Sequence, residues 1–183
     1  MRRSLIAVGL SLAAAFSLGA EVAGVKLPDS IEVEGKTLKL NGAGLRKKVV
    51  FKVYVAGLYL ESPTKDAGVA ISSDQVKSMR LHILRSLEAG KITEAITEGF
   101  ERNSKSQMAA LKARLDRFNA LFPNVSESDE IVMSYVPGKG TVVTVKGTEK
   151  GTVEGRDFAE ALFAVWLGPN PVQEDLKKAL LGG

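Results

Sequence analysis

A chain of 183 residues that is 45% hydrophobic and 25% charged has the size and balance of one globular domain with its own core, which excludes a disordered polymer. It has no cysteine and one histidine, His82, so disulfide scaffolds, thiolate metal sites and histidine-rich zinc centres are excluded, and Ser-His-Asp chemistry would have to run through that residue. The formal charge of +4 is not gathered into a long basic stripe. The densest cluster, Arg46, Lys47, Lys48 and Lys52, is too short to track a phosphate backbone, so no nucleic-acid partner is expected.

Residues 1–20 read as a targeting segment. Arg2 and Arg3 form a positive n-region, Leu5 to Leu18 is a nearly unbroken apolar stretch, and small residues stand at Ser17, Gly19 and Ala20. The run is short for a membrane span of about 20 residues, and no later stretch approaches that length. The pattern predicts a cleaved signal peptide over 1–20, a single domain over 21–183 and a secreted, periplasmic location. Its removal takes two of the 25 basic residues and none of the 21 acidic ones, so the net charge falls to +2.

The next stretch carries the two-residue rhythm of strands. Ile31 and Val33 alternate with polar neighbours up to Glu34-Gly35-Lys36, Leu38 and Leu40 do so up to a turn signal at Asn41-Gly42, and Val49, Phe51, Val53 and Val55 make a third run with Lys52 and Tyr54 on the other face. Met79, Leu81 and Ile83 alternate with Arg80 and His82. Residues 130–135 and 141–146 read as a hairpin about Pro137-Gly138-Lys139-Gly140, and 148–154 as a further short strand.

Helical spacing links Ile92, Ala95, Ile96, Gly99 and Phe100, and then Met108, Leu111, Leu115 and Phe118. A third helix is expected over 157–167, capped by Asp157 and ended by Gly168-Pro169, and a fourth over 172–181. Strands in succession with helices in blocks predict an α+β fold, an antiparallel sheet with helices on one face.

Asn41-Gly42-Ala43-Gly44-Leu45-Arg46 invites a phosphate-loop reading but lacks the following Lys-Ser/Thr. Glycine in a strand more readily serves a bulge or a close backbone approach. The same segment, Gly42 to Arg46, with Val55-Ala56-Gly57-Leu58-Tyr59-Leu60-Glu61, Thr93 to Glu98, and Phe158 to Gly168 followed by Pro171, resembles the chalcone isomerase superfamily over nearly all of the chain after residue 20. That superfamily contains plant isomerases, non-catalytic fatty-acid-binding relatives and secreted bacterial members. The resemblance implies an open-faced β-sandwich with a ligand cleft between sheet and helices.

Carried over by position, the superfamily's cleft arginine falls on Arg46, within its matching Gly-Ala-Gly-Leu context. The enzymes' threonine falls on Tyr54, their tyrosine and asparagine on Ile92 and Gly99, and the pair at the far end of the cleft on Val165 and Trp166. With hydroxyl and amide donors missing, cyclisation of a chalcone loses its water network and oxyanion support, at about 3–4 kcal/mol per donor. The expected role is therefore non-catalytic binding of a fatty acid or similar small carboxylate amphiphile, with Arg46, Tyr54 and Trp166 as ligand-binding residues. A guanidinium receives a carboxylate through two parallel hydrogen bonds, and a phenol adds a third.

Two alternatives stay open. One is an isomerase or intramolecular lyase on an unsaturated carbonyl compound, with Arg46 as electrophile and Tyr54 as proton carrier. The other is a ligand-free envelope accessory protein. All three readings are of a monomer that needs no cofactor and no metal. Unless a bulge shifts the parity, Arg46, Lys48, Lys52 and Tyr54 share one strand face. His82 reads as a half-exposed strand residue, Phe163 and Trp166 as core with Trp166 also able to line a cleft, and Arg46 could instead be a surface ion-pair partner.

Overall fold

The computed structural model describes residues 18–183, so the predicted leader lies, except for its last three residues, outside the described residues. A hairpin of β1 (Leu18–Val22) and β2 (Val25–Pro28) comes first, and the predicted boundary after Ala20 falls inside β1. Seven strands then form one antiparallel sheet in which spatial order follows chain order: β3 (Ser30–Val33), β4 (Lys36–Lys48), β5 (Phe51–Leu60), β6 (Lys77–Ile83), β7 (Glu130–Val136), β8 (Gly140–Val145) and β9 (Thr148–Val153). The helices are α1 (Ala67–Ser72), α2 (Ala89–Asn103), α3 (Met108–Asn119), α4 (Arg156–Leu167) and α5 (Glu174–Leu180). Among the described residues no helix is long and apolar enough to cross a membrane.

Strand alternation builds the core. Ala56, Leu58 and Leu60 of β5, Met79, Leu81 and Ile83 of β6, Ile131, Met133 and Tyr135 of β7 and Val143 and Val145 of β8 join one buried cluster with the helices. On α4 every residue from Ala161 through Leu167 is buried, as a helix stretch apolar on all sides must be. Phe158 of α4 packs against Phe100 and Phe118 with ring centroids 5.4 and 5.3 Å apart. A smaller cluster of Leu38, Tyr59 and Val76 occupies the opposite face, where Leu27 of β2 closes over Gly57.

The α+β fold with helices on one face is as the alternation predicts, but the strand boundaries near the candidate site differ. The chain does not turn at Asn41-Gly42. It runs through as β4, with Asn41 as a one-residue bulge between the pairs Leu40↔Tyr59 and Gly42↔Leu58. The turn falls instead at Val49-Val50, a site without Gly, Pro, Asn or Asp, which is why the pattern read Val49 as strand. Helix α4 is preceded by Gly155 at φ 105°, and Asp157 makes no cap. It lies in the first turn and pairs with Arg114 at 2.6 Å. Helix α1 has no predicted counterpart; Asp66 caps it by accepting from the Val69 N–H at 2.9 Å.

Candidate ligand site

The Gly-Ala-Gly segment of β4 is where the C-terminal helix meets the sheet. A Cβ at Gly42 would collide with the Ala179 carbonyl oxygen and stand 2.7 Å from that of Leu180, and one at Gly44 would stand 2.8 Å from both Ala179 Cβ and Leu176 Cδ1. Only glycine lets α5 lie this close to the strand backbone. Beyond Lys39, β4 has no β3 partner, and α5 covers that edge. Asn41 fastens one end by donating to the Leu180 carbonyl at 2.8 Å.

Gln173, just before α5, fastens the other end. Its Oε1 accepts from the Lys47 N–H at 2.9 Å and its Nε2 donates to the Leu45 carbonyl at 3.2 Å, so the side-chain amide pairs with the open edge as a neighbouring strand would. The same Oε1 accepts from Arg46 Nη1 at 3.3 Å. No local pattern in the sequence points to Gln173, since an isolated glutamine 127 positions from Arg46 carries no such signal.

Arg46 and Tyr54 are direct partners in the β4–β5 ladder, so their side chains stand together on the helix-facing side. The Tyr54 hydroxyl accepts from Trp166 Nε1 at 2.9 Å, across 112 positions of chain. The structure thus brings the three residues Arg46, Tyr54 and Trp166 into one group. Trp166 is 3% exposed, and the core and cleft readings of this residue meet in that single hydrogen bond. Lys52 leaves the shared face because a bulge at Val53 puts it opposite Lys47.

The electrostatics of the group are those of a donor set. Arg46 is half-buried, and its Nη1 also reaches the Lys47 carbonyl. Among the described residues no carboxylate lies within ion-pair distance of it, so the surface ion-pair role is not what the fold gives it. Burial pushes the Tyr54 phenol above its ordinary value, with the Trp166 N–H and the nearby Arg46 charge opposing that shift without reversing it. Tyr54 therefore keeps its proton at neutral pH, and with its oxygen already accepting from Trp166 that proton is free to be donated.

The remaining positions are closed or distant. A Cβ at Gly99 of α2 would stand 2.7 Å from Val165 Cγ1, so α2 and α4 touch where a larger side chain would intrude. Two open cavities are described. One of about 360 Å³ is lined by Asp74, Tyr135, Arg156 and the 138–140 turn, and one of about 430 Å³ by His82, Glu130, Lys146 and their neighbours. Neither is lined by Arg46, Tyr54 or Trp166. His82 is a part-exposed strand residue with Nδ1 4.0 Å from Glu130, whose other oxygen binds Arg80 at 2.7 Å. The described residues contain no group of three His, Cys, Asp or Glu placed to hold a metal ion.

A family model for chalcone isomerase-like proteins matches residues 19–182. The chain belongs to the chalcone isomerase-like family. A fatty-acid binding protein from Arabidopsis thaliana has the same fold, with a TM-score of 0.69 over 86% of this chain and 92% of that one at 19% sequence identity. No curated protein matches the chain.

Proposed function

We propose that this chalcone isomerase-like protein binds the carboxylate of a fatty acid or similar amphiphile at Arg46, without transforming it. The observation that carries the reading is a half-buried guanidinium with no carboxylate partner among the described residues, beside a part-buried phenol that stays protonated and has a proton to give. The Gln173 amide oxygen stands on Arg46 as one oxygen of a bound carboxylate would, so a ligand takes its place and α5 yields at that end to admit the chain. The fold shared with a fatty-acid binding protein supports the reading. The N-terminal pattern of Arg2, Arg3 and the apolar stretch to Leu18 supports secretion to the periplasm.

Proton abstraction from an unsaturated carbonyl compound has less support. A tyrosine whose phenol is raised rather than lowered is a poor base, and Ile92 and Gly99 offer no donor in place of the enzymes' side chains. A ligand-free accessory role has one observation in its favour: the seam at Gly99 and Val165 is filled, and the described cavities lie elsewhere.

Titration with a long-chain fatty acid, followed by the fluorescence of the lone Trp166, separates these readings. Saturable binding that Arg46→Lys weakens by tenfold or more, with folding unchanged, supports carboxylate capture. A lysine keeps the charge but loses the two-pronged geometry, and charge-assisted bonds are worth about 1.5–3 kcal/mol each. No binding by the parent protein removes the reading and leaves the accessory role.

A further inference from the structure

The β4–β5 turn is the most apolar exposed feature of the described surface. Val49, Val50 and Phe51 are consecutive in the chain and 89%, 79% and 55% exposed. Single exposed hydrophobic residues are ordinary, but three in succession at the tip of a projecting hairpin are not. Val49 also holds φ at 56°, a left-handed conformation that costs a β-branched residue far more than the Asn or Gly usual in such turns. Neither folding nor solubility is served by valine there, so the residue points to a contact made by the tip.

The surroundings identify the chemistry of that contact. Lys47, Lys48, Lys52 and Arg85 are exposed around the tip, and the Arg85 guanidinium lies 4.5 Å from the centre of the Phe51 ring. None of the four is ion-paired among the described residues. Glu94 is an acidic side chain near Lys48, and it is bound to Lys91 at 2.9 Å. An apolar point ringed by unpaired cations complements a surface that is apolar inside and negative outside.

We infer that the β4–β5 turn docks the protein on an anionic lipid bilayer, with Val49, Val50 and Phe51 entering the headgroup–acyl boundary and the cations held at the phosphate level. This inference stands on the tip alone and does not depend on what Arg46 binds, although it would bring Arg46 within three residues of the lipid.

The test uses the protein as isolated from the cells that make it, floated with vesicles of phosphatidylcholine alone or mixed with phosphatidylglycerol. Binding to the mixed vesicles and little to the neutral ones is expected. The triple change Val49→Ser, Val50→Ser, Phe51→Ser should lower vesicle binding at least tenfold. Replacement of Lys47, Lys48 and Lys52 by Gln should lower it about fivefold per cation and flatten its dependence on salt. Fatty-acid titration by Trp166 should be unaffected by the serine changes, so failure here is distinguishable from failure of the ligand reading. A Phe51→Trp variant supplies a second measurement: its added emission should shift to the blue with anionic vesicles. Serine variants that bind vesicles as well as the parent, equal binding to neutral vesicles, or self-association through the tip that vesicles do not disturb would each overturn the inference.

Discussion

Replacing Tyr54 by Phe removes one oxygen atom, and the structure makes its cost larger than a surface hydroxyl's. The lost oxygen is the acceptor for Trp166 Nε1 at 2.9 Å, and Trp166 is 3% exposed, so the indole N–H loses its partner in a largely buried setting. A buried donor left without a partner costs about 1–3 kcal/mol, whereas a net neutral hydrogen bond is worth about 0.5–1.5 kcal/mol. Tyr54→Phe should therefore fall in the upper range. For a chain of this length each kcal/mol moves Tm by about 2–4 °C, so a drop of several degrees is expected. Urea unfolding followed by Trp166, the single tryptophan, reports both stability and the local change, since loss of the hydrogen bond alters the emission of the folded state. Tyr54→Phe combined with Trp166→Phe, with all four proteins followed by far-ultraviolet circular dichroism because the variants at 166 hold no tryptophan, should cost less than the sum of the two single changes, since no orphan donor remains. A Tyr54→Phe protein within about 0.5 kcal/mol of the parent would refute the claim that the change leaves the indole N–H without a partner.

Three further outcomes follow from other parts of the fold. Gly44→Ala should destabilise by about 1–3 kcal/mol, because its Cβ would press on Ala179 and Leu176 at 2.8 Å; chemical denaturation measures this, and a neutral result would mean that α5 slides freely on β4. Val49→Gly should stabilise by about 1 kcal/mol through relief of its left-handed backbone, seen as a higher urea midpoint. Lys77 is 1% exposed, donates to the carbonyls of Ala70 and Ser73 at the end of α1, and is lowered to about 8 by burial. The unfolded chain keeps that proton up to about 10.5, so between about pH 8 and 10 the unfolded state binds more protons. Stability should accordingly rise with pH there, by at most about 1.4 kcal/mol per unit. Above about pH 10 the trend reverses, since Tyr59 and Tyr135, pushed up to about 12, hold protons that the unfolded state has already lost. Lys77→Met should abolish the rise in that window in a series of denaturation curves.

Local pattern was enough for the class of fold and most of its elements. Alternation of apolar residues along Met79–Ile83 or Glu130–Val136 follows from the pleat of a strand, and the three-and-four spacing from Ile92 to Phe100 follows from the turn of a helix. Both periodicities are properties of a few neighbouring residues and survive in any tertiary setting. Arg46 was likewise legible, because a charged residue behind Gly-Ala-Gly stands out in the chain itself.

What Arg46 touches was decided elsewhere. Its amide partner Gln173, the Trp166 donor that fixes Tyr54, and the helix that requires Gly42 and Gly44 all lie more than 100 positions away. The turn at Val49-Val50 was hidden for a related reason. Two valines favour an extended chain, yet the ladder from Lys39↔Leu60 to Lys48↔Phe51 and the packing of both strands beneath α5 outweigh that local preference and place the reversal between them. Residue type sets what a segment prefers over a few bonds. Which distant groups meet it depends on how the whole core closes.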